Sequence, residues 1–466
     1  MKIKFKSRYI VVLSAMMLGG CASFDALMPE SDIGLKSKFS NEDVLKEEKM
    51  SSLNNWWSQF EDPVLMKIIA QAQINSPTIS SAVLNIKSYE FNLGLNRAND
   101  LPRIGLGGSM NRSSSMSGDI SNSASIGLQT SWELDLFNKF GTEKKMNQKK
   151  LQGAKAQWHD AQTLVAASAA KSYFSYKLCK EILDNLNEDY SSRIKQQEIT
   201  KLNVKVGLES KSSEYLAEAR ISQAKTSLVN KETECESEIK GLVALTDIKE
   251  DELKKLLNQK TPIRLDFKIP KMVPGDLIEQ RPDVYSAKKN LQALYDNLSL
   301  ANKQRLPSIS INGNISSNYV ASAGFSKNGT TWSVGPLSIN LPIFDNGRIK
   351  ANETFASDQI ENQKVVFSNN VRQAVKEVEV ALLNLSKIDE KSSLIELSVD
   401  NYEKLYDSTL KKYEVGLSNL YELEDAKISY LNAKNQKVGN KKEILNYWID
   451  LYKAVGGGFK GNENEK

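Results

Sequence analysis

The sequence contains few of the residue types that build catalytic or metal sites. Its 466 residues include one histidine and three cysteines. A metal or catalytic site needs several suitable side chains at ligand spacing, and nothing around His159 has that spacing. The ten methionines form no cluster that would bind a soft metal. We therefore expect no enzyme activity, no metal site and no cofactor.

Long apolar runs are missing after the first twenty residues. A membrane-spanning helix needs a stretch of about 18 apolar residues, and the sequence from residue 21 onward contains none. If the chain crosses a membrane, strands must therefore do so.

Excess positive charge is missing as well. The four basic residues within segment 1–20 account for most of the net charge of +5, which leaves +1 from residue 21 onward. Binding to nucleic acid needs a strongly basic patch. We expect no nucleic-acid partner.

The first twenty-one residues have the pattern of a bacterial export signal. A basic start and a short apolar run precede Leu18-Gly19-Gly20-Cys21. The run is too short for a permanent membrane anchor, and small residues before a cysteine are similar to a lipobox. We expect segment 1–20 to be removed, Cys21 to be lipidated and 21–55 to form an arm. An ordinary signal peptide with an incidental cysteine is the alternative.

The main feature of the remaining sequence is an internal duplication. Leu101-Pro102-Arg103-Ile104 and Leu306-Pro307-Ser308-Ile309 each open a strand-like stretch that leads into a long polar stretch. A duplication of this size indicates two similar structural halves. We expect a first repeat over 56–274, a second over 275–458 and a disordered tail over 459–466.

Each half contains a very long polar stretch that is almost free of glycine and proline. These stretches run from Gly141 to Gly207 and from Gly347 to Gly416. Helices of this length would reach roughly 100 Å. They are too polar for a buried core and too long to be stable alone. We expect antiparallel coiled-coil hairpins that turn at Gly207 and Gly416.

Two strand-like segments precede each helical stretch. In the clearest, the odd positions from Ile309 to Tyr319 are largely apolar and alternate with small polar residues. This alternation is typical of a transmembrane β-strand and also of a half-buried sheet in a soluble domain. Four strands cannot close a barrel, and lipid does not tolerate an open sheet edge, so the barrel interpretation requires an oligomer. Three copies would supply twelve strands.

The first hairpin carries two cysteines at matching positions on either side of its turn. Cys179 precedes Gly207 by the same number of positions by which Cys235 follows it. In an antiparallel hairpin the two thiols reach about the same height. A disulfide could form in an oxidising compartment, and two independent free thiols are the alternative. The first hairpin also has two more residues between Gly207 and Ala219 than the second has between Gly416 and Ala426, which predicts a longer first turn.

Five short motifs follow one another across the chain. They are Trp56-Trp57 with Asp62-Pro63, Arg281-Pro282-Asp283-Val284, Pro342-Ile343-Phe344-Asp345-Asn346-Gly347-Arg348, Tyr413-Glu414-Val415-Gly416 and Leu451-Tyr452-Lys453-Ala454-Val455-Gly456-Gly457-Gly458. Together they resemble the TolC-like outer-membrane efflux factors, specifically their NodT-type lipoprotein branch. The resemblance implies an α+β membrane protein that forms a homotrimer. Its twelve-stranded transmembrane β-barrel, four strands per chain, would continue into a long periplasmic α-helical coiled-coil barrel.

The resemblance also implies a function and partners. The chain would be the outer-membrane channel of a tripartite efflux or secretion system, a passive duct in the outer membrane of a Gram-negative bacterium. Its partners would be a periplasmic adaptor protein, an inner-membrane transporter of the RND or ABC type, and outer-membrane lipids. The cargo is left open. A structural or adhesive surface lipoprotein with a coiled-coil stalk is the alternative.

The family pattern also points to gate residues at the second turn. A glycine followed at fixed spacing by two acids falls on Gly416, Glu422 and Asp425. In the family such acids form a ring at the closed periplasmic tip, and Tyr413 matches a tyrosine that holds the closed state. A solvated helix face is the alternative for the two acids. Ser418 stands where one well-known member has an arginine, so part of that latch differs here.

Overall fold

The computed structural model describes most of the chain after its N-terminal segment. The described residues are 53–116, 118–259, 261–265, 278, 281–322, 324–459 and 461. The expected signal peptide, the lipidation site at Cys21, most of the expected arm 21–55 and nearly all of the expected tail lie outside the described residues. The chain divides into two compact units. Of the described residues, one unit contains Tyr89–Lys150 and Lys289–Val365, and the other contains the rest.

The first half of the chain follows the order helix, strand, strand, long helix, shorter helix. A 3-10 helix, Leu53–Phe60, precedes α1 (Pro63–Ile74) and α2 (Pro77–Asn99). The strands β1 (Arg103–Ser114) and β2 (Ile120–Leu134) lead to α3 (Lys139–Lys205), α4 (Lys211–Thr246) and α5 (Glu250–Leu257).

The second half repeats this order. It contains α6 (Pro282–Lys303), β3 (Ser308–Ser322), β4 (Phe325–Asn340), α7 (Arg348–Glu414) and α8 (Leu420–Ala454). Both α3 and α7 have 67 residues, while α4 has 36 and α8 has 35. The expected internal duplication is therefore confirmed at the level of whole helices.

An aspartate caps the start of each long helix. The carboxylate of Asp135 accepts hydrogen bonds from the backbone N–H groups of Lys139 and Gly141. In the second half, Asp345 accepts from Gly347 and Ile349 at 3.1 and 2.8 Å. A carboxylate at this end satisfies free N–H groups and interacts favourably with the helix dipole. The acidic residue before each long helix thus has a local structural cause.

The four strands form one antiparallel sheet in the order β1-β2-β3-β4. Their register brings apolar residues to one face, with Leu128 opposite Ile315, Trp132 opposite Ile311 and Ile309 opposite Ile339. The other face carries mainly small and polar residues, among them Ser125, Gln129 and Asn314. The side chains of the apolar face are largely exposed in the single chain, so the apolar face is suited to an apolar environment. Within the described residues, no helix is long and apolar enough to cross a membrane.

Gly127 allows β2 and β3 to approach closely. A Cβ atom at this position would lie 2.5 Å from the carbonyl oxygen of Ile315 on the neighbouring strand. That distance is shorter than any van der Waals contact, and the obstacle is backbone, which cannot rotate away. The sequence therefore needs glycine at the middle of the central strand pair.

The unit that contains α4 has an aromatic core. The ring of Trp56 lies 5.7 Å from that of Trp448 and 5.6 Å from that of Tyr452. Close by in sequence, Asp62 caps α1 through the N–H groups of Val64 and Leu65. The motif Trp-Trp to Asp-Pro near the start of the described chain is thus explained by packing and by helix capping.

A charged cluster around the buried Arg281 lies where α8 ends. Arg281 donates to both carboxylate oxygens of Asp283, to Glu377 at 2.8 Å and to the carbonyl of Ala454. Burial and the neighbouring Asp283 raise the pKa of Asp160 to about 6, although Arg281 and Lys453 oppose the shift.

His159 belongs to the same region. Its Nε2 lies 3.2 Å from the carbonyl oxygen of Gly457, and its ring packs on Phe459. Burial lowers the pKa of His159, while the bond to Gly457 partly opposes this. The contacts give the single histidine a packing role at the end of the chain.

The close approach at Gly127 can be tested by substitution. We expect Gly127→Ala to lower the thermal unfolding temperature of the purified protein, because relieving the clash with β3 costs about 1–3 kcal/mol. Gly105→Ala in β1 is the matched control, since a Cβ there meets nothing within 4 Å. Circular dichroism during heating measures both. Equal unfolding temperatures for the two variants would show that the strands do not constrain Gly127.

The raised pKa of Asp160 predicts a pH-dependent stability. The folded chain binds this proton more tightly than the unfolded chain, so the group destabilises the fold as pH rises from about 4 to 6 and remains destabilising above. Asp160→Asn should therefore raise the free energy of unfolding at pH 8, by up to roughly 2–3 kcal/mol, and have little effect at pH 4. Urea unfolding followed by circular dichroism measures this. The exposed Glu390→Gln serves as control, and an effect of Asp160→Asn that does not vary with pH would contradict the assignment.

Candidate functional site

The two helical hairpins turn in the same way. Gly207 and Gly416 adopt positive φ angles of 82° and 78°, which favour glycine. One backbone hydrogen bond of 2.8 Å closes each turn, from the Leu208 N–H to the Asn203 carbonyl in the first and from the Leu417 N–H to the Lys412 carbonyl in the second. The structure thus places both glycines at the expected turns.

The two turns have equal length. Both α4 and α8 begin four residues after the turn glycine. The expectation of a longer first turn is wrong, because the two additional residues before Ala219 lie within α4. Each turn also exposes a valine and a leucine on either side of its glycine. These are Val206 and Leu208 in the first turn, and Val415 and Leu417 in the second, all between 68% and 78% exposed.

The acids expected to form a ring have different surroundings. Glu422 belongs to the cap of α8: its N–H donates to the Asn419 side chain, and its carboxylate accepts from Ser418 and Asn419. The side chain of Asp425 is 68% exposed, with Arg220 at 3.8 Å. Asp425 is therefore the freer of the two carboxylates.

Tyr413 lies close to the end of α7. Its side chain is half-buried, and no hydrogen bond joins it to another side chain in the part of the chain that the structure describes. Its role in holding the closed state remains a prediction.

The strongest charged contact of this region involves Glu424, between the two expected ring acids. Its carboxylate accepts from Arg193 of α3 at 3.2 Å and from Arg220 of α4 at 2.8 Å. Glu424 is only 7% exposed, and Asp189 holds Arg193 from its other side at 2.9 Å. We call Arg193, Arg220 and Glu424 the arginine clamp. It joins the second hairpin to both helices of the first.

A second contact supports the clamp beside the first turn. The hydroxyl of Tyr421 donates to Glu209 at 3.2 Å, and the guanidinium of Arg220 lies over the Tyr421 ring, 5.6 Å from its centroid. Stacking on an aromatic face restricts the guanidinium to one direction. Arg220 is thus oriented towards α8 by two residues of that helix.

Further polar contacts hold α8 above the clamp. Three contacts join α8 to α3 through charged or amide side chains. They are Glu188 with Lys427 and Lys434, Asn185 with Asn435, and Glu181 with Lys441. On the α7 side, Tyr430 stacks on Tyr406 and donates to Glu403. Burial and the bond to Glu403 raise the pKa of Tyr430 to about 12, so this phenol remains a donor at neutral pH.

The two cysteines of the first hairpin are joined. Cys179 and Cys235 form a disulfide with a Cα–Cα distance of 5.7 Å, and both residues are buried. The pairing that the sequence left open is thus present in the structure. No group of three or more His, Cys, Asp or Glu side chains within the described residues could hold a metal ion.

Sequence reasoning missed the arginine clamp. Glu424 lies 231 residues from Arg193 and 204 residues from Arg220, so no local pattern connects them. The only available signal was an acid between two other acids, which by itself indicates a solvated face.

Comparison with known proteins gives matches over most of the chain. A family model described as outer membrane efflux protein matches residues 68–246 and 273–457. The solvent efflux pump outer membrane protein SrpC of Pseudomonas putida is 24% identical over 415 residues, which cover 87% of each chain. Nodulation protein T of Rhizobium leguminosarum bv. viciae is 24% identical and covers 96% of this chain and 92% of the relative.

The fold is also that of solved outer membrane channels. The crystal structure of the Campylobacter jejuni CmeC outer membrane channel matches with a TM-score of 0.83 at 23% identity, covering 94% of this chain and 95% of that one. The expected fold class, that of the trimeric TolC-like channels, is confirmed, as is the outer-membrane location. Proteins of this kind are efflux channels and not enzymes, and they form trimers that work with adaptors and inner-membrane transporters. The adhesive stalk is not favoured. The chain, matched across both halves of its duplication, belongs to the outer membrane efflux protein family.

Proposed function

We propose that three copies of this chain form a passive exit duct through the outer membrane, and that the arginine clamp keeps the duct closed at its hairpin turns. A periplasmic adaptor protein and an inner-membrane transporter of the RND or ABC type open it and supply the energy. The observation that carries this proposal is the buried contact of Glu424 with Arg193 and Arg220.

Trimerisation follows from the sheet. Among the described residues, β1 and β4 each pair on one side only. Unpaired backbone groups are very costly in lipid, so these edges must pair with strands of other copies. Three sheets of four strands give a closed barrel of twelve, with the exposed apolar face of each sheet towards lipid.

The clamp supports closure at the turns because its charges depend on one another. Removing one partner from a buried ion pair costs several kcal/mol, since the remaining charge is left unpaired in a poorly solvated place. Movement of α8 away from the first hairpin would separate Glu424 from both arginines. The closed arrangement is therefore favoured until another contact compensates for this loss.

The turns provide a surface for the adaptor. Four exposed apolar side chains flank the turn glycines: Val206, Leu208, Val415 and Leu417. Exposed apolar side chains gain by being covered, so these four suit a complementary apolar surface of a partner. With two similar turns in each chain, a trimer would present six such apolar turns to its partner.

Asp425 and Glu422 are proposed to set the ion preference of the narrow end. Carboxylates gathered around an axis attract cations and repel anions. Asp425 contributes more because its side chain is exposed, whereas Glu422 is engaged in the cap of α8. The cargo is set by the transporter, and the naming of the relative SrpC for solvents leaves the cargo of this chain open.

Planar-bilayer recordings test closure by the clamp. Wild-type protein should conduct with low open probability, and Glu424→Gln should raise that probability about tenfold or more, since the neutral amide no longer compensates two arginines. Glu443→Gln on the same helix, where the carboxylate pairs with Lys391 at the surface, should leave it unchanged. A wild-type protein that never conducts would favour a stalk, and an unchanged Glu424→Gln variant would remove the clamp from gating.

Ion selectivity tests the carboxylates at the turn. We expect Asp425→Asn to reduce cation preference and the block by divalent cations, and Glu422→Gln to do so less. The reversal potential across a KCl gradient measures preference, with Asp400→Asn on α7 as the control, since Asp400 pairs with Lys404. Unchanged selectivity in the Asp425→Asn, Glu422→Gln double variant would refute the assignment.

A further inference from the structure

The disulfide joins the same two helices that carry the arginines of the clamp. Cys179 and Arg193 both belong to α3, and Arg220 and Cys235 both belong to α4. On each helix about four turns separate the cysteine from the arginine, which places both arginines roughly 20 Å from the disulfide, towards the hairpin turn. The disulfide therefore lies at one end of a segment of the hairpin, and the two arginines lie at its other end.

Along this segment, apolar contact weakens towards the turn. The buried residues of α4 are Ala224, Leu228, Cys235, Ile239, Leu242 and Thr246. Their spacing of three, four and seven positions is that of a coiled-coil seam, with Cys235 in its middle. Between Lys211 and Gln223, α4 buries no residue. The disulfide is thus the covalent part of a seam whose fully buried residues end at Ala224, close to Arg220.

Near the turn, the side chains of α4 are at most partly buried, and polar contacts join α4 to α3. Lys201 lies 3.7 Å from Glu218, and both side chains are about half exposed. Lys225 lies over the ring of Tyr190 at 5.2 Å. Exposed ion pairs contribute little to stability. The position of Arg220 therefore depends on how firmly the seam above it is held.

We propose that the Cys179–Cys235 disulfide is the modification that sets the strength of the closed state. It fixes α4 to α3, and this keeps Arg220 level with Arg193 so that both bind Glu424 together. Without the bond, α4 moves along and away from α3, and Arg220 no longer contributes to the clamp. The inference rests on the proposed function, in which the clamp closes the duct.

The bond is made by oxidation of two thiols. Each cysteine loses a proton and the pair loses two electrons, which reduce the disulfide of a thiol–disulfide oxidoreductase or of oxidised glutathione. Both cysteines are buried in the folded hairpin, so the bond must form before or during folding and is then protected. The disulfide is a permanent staple of the mature protein rather than a reversible switch.

A double-mutant cycle separates this role from general stability. Open probability is measured in planar bilayers for Arg220→Gln and for Arg193→Gln. Each is made in the protein with the disulfide and in a Cys179→Ala, Cys235→Ala background. With the disulfide, Arg220→Gln should raise open probability about fivefold; without it, the same substitution should change open probability less than about twofold. Arg193→Gln should act at least as strongly without the disulfide as with it, because Asp189 of the same helix holds Arg193, and Arg193 is then the remaining partner of Glu424.

Equal effects of Arg220→Gln in the two backgrounds would overturn the proposal. So would mass spectrometry after non-reducing alkylation that finds both Cys179 and Cys235 labelled in the wild-type protein. If the double alanine variant fails to form oligomers, Cys179→Val with Cys235→Ala refills the seam and repeats the cycle. A Glu424→Gln variant with unchanged open probability would instead refute closure by the clamp in the proposed function, so the two failures are distinguishable.

Discussion

The unpaired edges of a four-stranded sheet are the constraint on which the rest of the structure depends. Lipid supplies no hydrogen-bond partners, so β1 and β4 must find strands outside the chain. Pairing in a ring of three copies satisfies both edges and at the same time gathers the long hairpins of all copies. Helices of 67 residues need packing partners, and within the single chain α3 already buries Tyr173, Phe174 and Leu178 while α7 buries Val378 and Leu382.

Polar contacts then decide how the hairpins are arranged. Because the helices are rich in charge, their packing uses ion pairs and amides, and most of these are exposed and individually weak. The arginine clamp differs, since Glu424 is buried and has two cationic partners. The duplication supplies two similar hairpins, and their differences assign separate roles: the first carries the disulfide and both arginines, and the second carries the carboxylate.

Much of the fold could be predicted from the sequence because the spacing of glycine and the rise of a helix fix heights. The turns at Gly207 and Gly416 and the level placement of Cys179 and Cys235 follow from counting residues. The clamp could not be found in this way, because side-chain direction around a helix matters only once three helices have packed. The longer first turn was a wrong prediction because counting residues alone could not assign the extra residues to α4. The gate roles of Tyr413, Glu422 and Asp425 remain predictions.

The number of chains in the native assembly tests the edge constraint most directly. Native mass spectrometry of the purified protein, released from detergent, measures it without any assumption about gating. Pairing of both sheet edges in a closed barrel predicts one species with the mass of three chains. A stable monomer, or an assembly with a different number of chains, would contradict the twelve-stranded barrel and with it the proposed duct.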